Sequence, residues 1–269
     1  MSQGALIFAQ GSSTIDYVKI AAKAAEQVHK HLDIPVTLVT DKPTDLKVFD
    51  SVVYAEAKQG GIRAWPGQEK TKWFNVGRSR AFELSPYDTT LLIDSDYWIY
   101  SDQLKLVLNS SQPFQCHRRH ISLPLAINSE IATFGKTHSP MYWATVVKFD
   151  RSVRSESIFA AWRMIENNYK HYANLFGFLQ SPFRNDYALS IATHMINGQI
   201  VHKKFIPWQL NHVPLQAKVI TTKKGLVLTY NKYDAKLEAN VDKAFLLSNK
   251  NLHFLDKKNF ESVANELLV

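Results

Sequence analysis

The sequence predicts an α/β fold with a Rossmann-like mixed sheet flanked by helices, and three observations predict it. An apolar run at residues 5–9 and a β-rich run at 36–39 are separated by a stretch with helical periodicity. This order is typical of a β-α-β unit, in which the strands are parallel and the crossover is right-handed. A third apolar run, LLID at 91–94, ends in acidic residues, as expected of a buried strand that leads to a ligand site.

The first helix is predicted from its start signal and its periodicity. The sequence STID at 13–16 resembles a capping box, and apolar residues then recur at helical spacing as far as Pro35. These residues are Ile15, Val18, Ala22, Ala25, Val28 and Leu32. Residues 52–54 form a weaker β-rich run, which predicts a further strand.

A loop and a second helix are predicted before the LLID run. Residues 58–72 are polar and contain glycine and proline, which predicts a long loop of the kind that often carries function. A helix is expected from about residue 73 to residue 84, because Pro86 disfavours a helical conformation at the residue before it.

The second half of the sequence predicts further strands and helices. Residues 142–149 have the pattern of a strand, and apolar residues between 158 and 172 mark a long helix. A second helix at 187–195 ends at Gly198, a hairpin surrounds residues 223–225, and a final helix covers 259–268. Because no repeat or clear linker divides the sequence, we expect residues 1–269 to form one domain with an embellished C-terminal half.

Composition restricts the class of protein. The chain has 269 residues, of which 45% are hydrophobic, so it is long enough for one large domain. Its single cysteine, Cys116, excludes an internal disulfide and fits a reducing compartment. The first residues lack the pattern of a signal peptide, and no apolar run is long enough to cross a bilayer. We therefore expect a cytoplasmic protein with no membrane insertion.

The chain is basic, with 32 Lys and Arg residues against 24 Asp and Glu residues and a formal charge of +8. Its isoelectric point of about 9.4 favours association with polyanions. Nucleic acid, an anionic membrane surface and anionic nucleotides are all candidate partners. The alternative is a solvated basic surface without a dedicated partner.

Asp94 and Asp96 are the strongest chemical signal in the sequence. Residues i and i+2 of an extended chain project to the same side, so both carboxylates are expected to converge just beyond the sheet. Hard cations such as Mg²⁺ and Mn²⁺ prefer such oxygen ligands. The alternative is an acidic turn after a strand, because Asp and Ser are common in turns.

The β-α-β start and the strand that ends at Asp94 and Asp96 resemble the GT-A fold of nucleotide-sugar glycosyltransferases, and the glycogenin-like branch in particular. The resemblance implies that Asp94, Asp96 and a distant histidine hold Mn²⁺ or Mg²⁺ against the donor diphosphate. The segment NLHFLDK at 251–257 offers His253 as this ligand and Lys257 four residues later, although it has no glycine where the family pattern has His-x-x-Gly-x-x-Lys.

A second resemblance covers nearly the whole chain. The segments 85–97, 142–145, 183–192 and the region of His253 are similar to those of a group of phage-encoded glycosyltransferases. The resemblance implies the reaction class, which is sugar transfer. Residues 1–110 are then expected to be the nucleotide-sugar-binding half. Residues 111–269 would then be the acceptor-binding half, and they would include the C-terminal metal-ligand segment.

Other site candidates follow from the resemblance and from position. The resemblance to GT-A enzymes implies that Asp186, within RND at 184–186, opens a helix towards the donor sugar and the acceptor, as a hydrogen-bond acceptor or as a base; the alternative is that Asn185 or Asp186 only caps the helix. Nucleoside contacts are expected from Gln10, Gly11 and Asp41. The candidates for diphosphate contact are Lys70, Lys72 and Arg78. The alternative is that these residues only form a solvated basic face.

These features predict a metal-dependent glycosyltransferase that moves a sugar from a nucleotide diphosphate donor, with UDP the expected nucleotide, to a hydroxyl. The resemblance and the basic charge make a hydroxymethylated base in phage DNA the first acceptor to consider, which would place the protein in the host cytoplasm. The alternatives are a glycan- or lipid-modifying glycosyltransferase, a nucleotidyltransferase and a non-catalytic nucleic-acid-binding module. Against the nucleotidyltransferase, the sequence has no glycine-rich triphosphate loop of the P-loop type.

Overall fold

A six-stranded mixed sheet forms the centre of the computed structural model, which describes residues 1–11, 15–63, 71–74, 76–123, 131–179, 182–198, 205–215, 217–222, 225–234, 239–247 and 250–267. Numbered in chain order, its strands are β1 (Gln3–Ala9), β2 (Val36–Thr40), β3 (Ser51–Tyr54), β6 (Thr89–Asp94), β8 (Phe114–His117) and β12 (Trp143–Asp150). Their spatial order is β3-β2-β1-β6-β12-β8. The first four are parallel, and β12 is antiparallel to both of its neighbours.

The described part of the chain forms seven α-helices. They are α1 (Tyr17–Leu32), α2 (Ala81–Leu84), α3 (Leu104–Leu108), α4 (Val153–Asn167), α5 (Tyr169–Phe176), α6 (Asn185–Ile196) and α7 (Lys257–Leu267). Helix α1 begins where the Asp16 carboxylate accepts a hydrogen bond from the Lys19 amide, and it ends at Asp33, which has a left-handed φ of 57°. Its buried face, which includes Ala21 and Val28, lies in the main core.

A second sheet lies beside the end of β6 and carries the C-terminal part of the chain. It consists of β7 (Tyr97–Trp98), β9 (His120–Ser122), β13 (Leu210–Val213) and β17 (Leu252–Phe254). The strand order is β7-β17-β13-β9, in which β17 is antiparallel to β7 and parallel to β13. Because β7 follows β6 after a turn of two residues, the pairing of β17 with β7 brings the end of the chain to the edge of the central sheet.

The remaining strands form small antiparallel sheets. They are β4 (Gly61–Arg63) with β5 (Thr71–Trp73), β10 (Thr133–Phe134) with β11 (Ser139–Pro140), and a three-stranded sheet of β14 (Lys218–Thr222), β15 (Gly225–Asp234) and β16 (Ala239–Leu247). Pairing of β14 with β15 confirms the predicted hairpin, although its tip lies outside the described residues. No helix in the described part of the chain is long and apolar enough to cross a membrane.

The structure confirms the α/β class and the mixed sheet, and it corrects three local predictions. Residues 73–84 are not one helix: β5 ends at Trp73, and a helical conformation begins only at Arg78, because Gly77 has a φ of 107° that no helix can include. The predicted loop at 58–72 contains the paired strands β4 and β5. The long helix at 158–172 is two helices, interrupted at Asn168, whose φ of −119° is not helical. The capping box at 13–16 lies partly outside the described residues.

Candidate metal centre

Two carboxylates lie at the carboxyl end of β6. Asp94 is the last residue of the strand, whereas Asp96 lies in the turn between β6 and β7. The expectation that both residues are part of an extended chain is therefore wrong, because the chain turns at Ser95 to enter the second sheet. The turn nevertheless keeps both carboxylates on one side, at the sheet edge where ligands of parallel α/β proteins bind.

His253 completes the cluster from the other end of the chain. It lies in β17, paired with Tyr97 of β7, so the turn that carries Asp96 is its neighbour. Its Nε2 atom is 3.8 Å from Oδ2 of Asp94 and 3.4 Å from Oδ1 of Asp96. The structure thus brings together all three residues that the sequence proposed as metal ligands.

These distances fit a shared divalent ion. One nitrogen and two oxygen donor atoms all lie within 4.8 Å of one another. Neighbouring ligands of an octahedral ion with bonds of about 2.1 Å are about 3.0 Å apart, so small side-chain movements are sufficient to bind one. A mixed set of carboxylate and imidazole donors suits Mn²⁺ or Mg²⁺ bound beside further oxygen ligands.

A cation holds the other oxygen of each carboxylate. Arg78 Nη1 pairs with Asp94 Oδ1, and Arg78 Nη2 donates a hydrogen bond of 2.8 Å to the Ala144 carbonyl. Lys257 Nζ pairs with Asp96 Oδ2 and donates a hydrogen bond of 3.2 Å to the Phe254 carbonyl. Each carboxylate therefore has one oxygen fixed by a cation and the other close to His253. The sequence proposed Arg78 as a diphosphate contact and offered Lys257 four residues after His253; the structure pairs both with the candidate metal-ligand carboxylates.

Burial and neighbouring charges shift the pKa values of the two carboxyls in opposite directions. Burial opposes ionisation of Asp96, but Lys257 and His253 overcome it and hold the pKa of that carboxyl well below its ordinary value. Burial raises the pKa of Asp94, and the charge of Asp96 adds to this effect, while Arg78 opposes it. Burial lowers the pKa of Lys257, but the pairing with Asp96 outweighs burial and raises it overall, so this amine stays charged.

A group of buried aromatic rings supports His253. The His212 ring is in edge contact with the rings of His253 and Trp143, at centroid distances of 5.0 Å and 4.6 Å. Burial lowers the pKa of His212 well below its ordinary value, so this ring is neutral. His117, which is fully buried, has a hydrogen bond of 3.1 Å between Nδ1 and the Trp208 carbonyl. No local motif marks His117 or His212, which the pairing of distant strands places here.

Asp186 is joined to the centre through Ala144. It lies in the first turn of α6, after the N-cap residue Arg184, whose side chain makes no capping hydrogen bond. The Ala144 amide donates to Asp186 Oδ1 at 2.9 Å, and the Ala144 carbonyl accepts from Arg78. Asp186 Oδ2 pairs with Arg184 at 3.1 Å. The Asp186 carboxylate thus fixes the backbone that also holds Arg78.

The nucleoside candidates lie at the same edge of the sheet. Gln10 and Gly11 follow β1, and Asp41 follows β2. The Gly11 amide donates a hydrogen bond of 2.8 Å to Asp41 Oδ1. Gln10 is buried, and its side chain donates to the carbonyls of Ala55 and Glu56 at 3.2 Å and 3.3 Å. These groups shape the edge of the sheet beside the metal centre, and their nucleoside contact remains a prediction.

This geometry does not test the two lysine candidates. Lys70 lies outside the described residues. Lys72 is in β5, where its side chain is exposed. Contact of either lysine with a diphosphate therefore remains a prediction from the sequence.

We predict that Asp96→Asn weakens Mn²⁺ binding by more than the roughly 10- to 100-fold typical of residues that only orient a ligand, because it removes a charged ligand. Isothermal titration with Mn²⁺ in the absence of any nucleotide measures this change. Asp102→Asn is the matched control, because Asp102 is an exposed carboxylate outside the cluster. Equal Mn²⁺ affinity of the wild type and Asp96→Asn would contradict the metal centre.

We predict that the protein loses stability in mild acid because of His117. Burial lowers its pKa from 6.5 to about 4, so the folded state keeps the ring neutral while the unfolded state becomes protonated. The contribution of the neutral His117 ring to the free energy of unfolding is complete above pH 6.5. It is lost between that pH and about 4, at about 1.4 kcal/mol per pH unit. The free energy of unfolding, measured with urea, should be lower at about pH 5 than at about pH 7. This decrease should be about 2 kcal/mol smaller in His117→Gln than in the wild type. The same loss in both proteins would exclude this cause.

Comparison with known proteins gives structural similarity only. No family model matches the chain, and no curated protein matches it. The chain is 9% identical to the glycosyltransferase GlyE of Streptococcus pneumoniae over 71% of its own length, with a TM-score of 0.44, and it spans 43% of GlyE. An active-site mutant of LgtC is 11% identical over 70% of this chain and 68% of its own, with a TM-score of 0.45. LgtC, a galactosyltransferase solved with donor and acceptor sugar analogues, is 10% identical over 70% of this chain and 69% of its own, with a TM-score of 0.44.

Proposed function

We propose that this protein is a metal-dependent glycosyltransferase that moves a sugar from a nucleotide diphosphate donor to a hydroxyl group. The cluster of Asp94, Asp96 and His253 at the carboxyl edge of the parallel strands carries the proposal. This edge is where α/β proteins bind nucleotides, and the mixed oxygen and nitrogen donors suit an ion that also binds phosphate oxygens. A UDP-sugar is the first donor to test.

The charges at the centre suit a diphosphate. Arg78 and Lys257 offset the charges of Asp94 and Asp96, so a bound divalent ion would leave an excess of positive charge facing the donor. Such an ion supplies electrostatic stabilisation of the departing diphosphate. In the transfer, the bond between the sugar and the diphosphate breaks, and a bond forms between the sugar and the acceptor oxygen, which loses its proton.

The chain's own residues have separate tasks in this proposal. Arg78 and Lys257 favour the charged forms of the two carboxylates and hold one oxygen of each, so that the other oxygen lies near His253. Asp186, which is fixed by the Ala144 amide and Arg184, would accept hydrogen bonds from the donor sugar or act as a base if the anomeric centre inverts. Gln10, Gly11 and Asp41 would bind the nucleoside, since they lie at the ends of the adjacent strands.

We predict that the protein hydrolyses one member of a nucleotide-sugar panel, or transfers the sugar from it to an acceptor. This turnover should require Mn²⁺ or Mg²⁺. Asp94→Asn should lower the turnover number at saturating donor at least about 100-fold, because the lost ion contributes several kcal/mol to the transition state. Release of nucleoside diphosphate is the measurement, and Asp102→Asn is the control. Pyrophosphate release from a nucleoside triphosphate would instead indicate a nucleotidyltransferase.

We propose a hydroxymethylated base in DNA as the first acceptor to test, and with it a cytoplasmic site of action. The formal charge of +8 supports this choice, since duplex DNA is a polyanion. An enzyme that modifies a base must reach it in the groove or flip it out of the stack. A glycan or a lipid is the alternative acceptor for the same chemistry.

We predict sugar incorporation into a hydroxymethylated duplex and none into the matched unmodified duplex, because unmodified cytosine and thymine have no primary alcohol on the base. Binding to duplex DNA should weaken steeply with salt, as counterion release requires. Mass spectrometry of the nucleosides measures transfer. Transfer to a glycan or lipid, with none to any hydroxymethylated duplex, would reject DNA and retain the glycosyltransferase. DNA binding without turnover, unchanged by a chelator, would indicate a binding module.

A further inference from the structure

A partly buried carboxylate of α4 contacts the backbone next to Arg78 and has no part in the chemistry proposed so far. Glu166 is near the end of α4, and its Oε2 atom accepts a hydrogen bond of 3.0 Å from the Gly77 amide. Burial raises the pKa of Glu166, while the Gly77 amide and the nearby Ser79 hydroxyl oppose this effect. Burial of a carboxylate costs free energy unless hydrogen bonds or opposite charges offset the lost hydration, and the Gly77 amide supplies one such hydrogen bond.

The backbone that Glu166 binds is the start of the turn that carries Arg78. Gly77 has a φ of 107°, a value that favours glycine, and it is the N-cap of the short 3₁₀ helix Arg78–Arg80. Apart from its two chain neighbours, no atom of the described residues lies within 4 Å of the position that a Cβ of Gly77 would occupy, so the backbone conformation favours glycine here. The hydrogen bond to Glu166 fixes this residue at the point where the chain changes direction.

Arg78 links this turn to the metal centre through its side-chain contacts. It is 6% exposed, and its guanidinium contacts both Asp94 Oδ1 and the Ala144 carbonyl. Two directional contacts on one planar group tolerate little displacement, so a shift of the turn would move Arg78 off Asp94. Asp94 could then rotate, and Oδ2 would no longer be held near His253.

We propose that Glu166 is a positioning residue for the metal centre. It holds the Gly77 turn so that Arg78 keeps one oxygen of Asp94 and leaves the other for the ion. The order of Arg78 follows from the structure alone, whereas the consequence for an ion rests on the proposed function. Two measurements separate these parts.

The first measurement is the order of the Arg78 side chain, which needs neither metal nor donor. Nitrogen-15 relaxation of the Arg78 Nε–H group should show a clearly lower order parameter in Glu166→Ala than in the wild type. Glu166→Gln keeps an acceptor oxygen for the Gly77 amide, so it should restore most of the order. Glu156→Ala is the matched control, because Glu156 is an exposed carboxylate of the same helix. Equal order of Arg78 in the wild type and Glu166→Ala would overturn the proposal.

The second measurement is Mn²⁺ affinity by isothermal titration. Glu166→Ala should weaken Mn²⁺ binding about tenfold, at the low end of the range for residues that orient a metal ligand. In an Arg78→Ala background the same change should have no further effect, because Arg78 carries the coupling. An equal loss in both backgrounds would show that Glu166 acts by general destabilisation, and would overturn the proposal. If the wild type binds no Mn²⁺, the metal centre fails, and the order of Arg78 alone decides the role of Glu166.

Discussion

The candidate centre depends on the pairing of β17 with β7. Two backbone pairs, Leu252 with Trp98 and His253 with Tyr97, join the end of the chain to the strand that follows the acidic turn. This pairing sets His253 against the carboxylates, and the Asn251 side chain reinforces it by accepting hydrogen bonds from the amides of Tyr100 and Ser101 at 2.8 Å and 3.1 Å. Without it, Asp94 and Asp96 would be an acidic turn at the edge of a sheet.

Charge balance explains why such a cluster is compatible with a stable fold. Two carboxylates close together repel each other and lose hydration, which costs several kcal/mol if nothing offsets it. Arg78 and Lys257 offset these charges from different parts of the chain. The protein therefore does not need an ion to tolerate its acidic residues, and one oxygen of each carboxylate remains near His253.

Much of the fold and part of the site could be predicted from the sequence, and the limits have physical causes. The strands of the β-α-β unit and helix α1 are specified locally, by apolar periodicity and start signals. The error at 73–84 arose because Gly77 interrupts a stretch whose composition otherwise suits a helix. Asp94 and Asp96 lie in one short motif, whereas His253 was proposed only through a family resemblance. The pairing of Arg78 with Asp94 was not predictable, because basic residues are common and their partners depend on tertiary contacts. His212 and Glu166 carry no motif at all.

The distance along the chain between the two halves of the centre affects how the protein is made. Lys257 and Asp96 are 161 positions apart, so their contact closes a very long loop and cannot form early. During synthesis the central strands leave the ribosome well before the segment that contains His253, and domains generally fold in that direction. A nascent chain would therefore expose an unpaired β7 and an acidic turn until β17 has emerged. The centre thus forms only after β17 has been made, so an incomplete chain that ends before β17 would contain most of the central fold but no complete site.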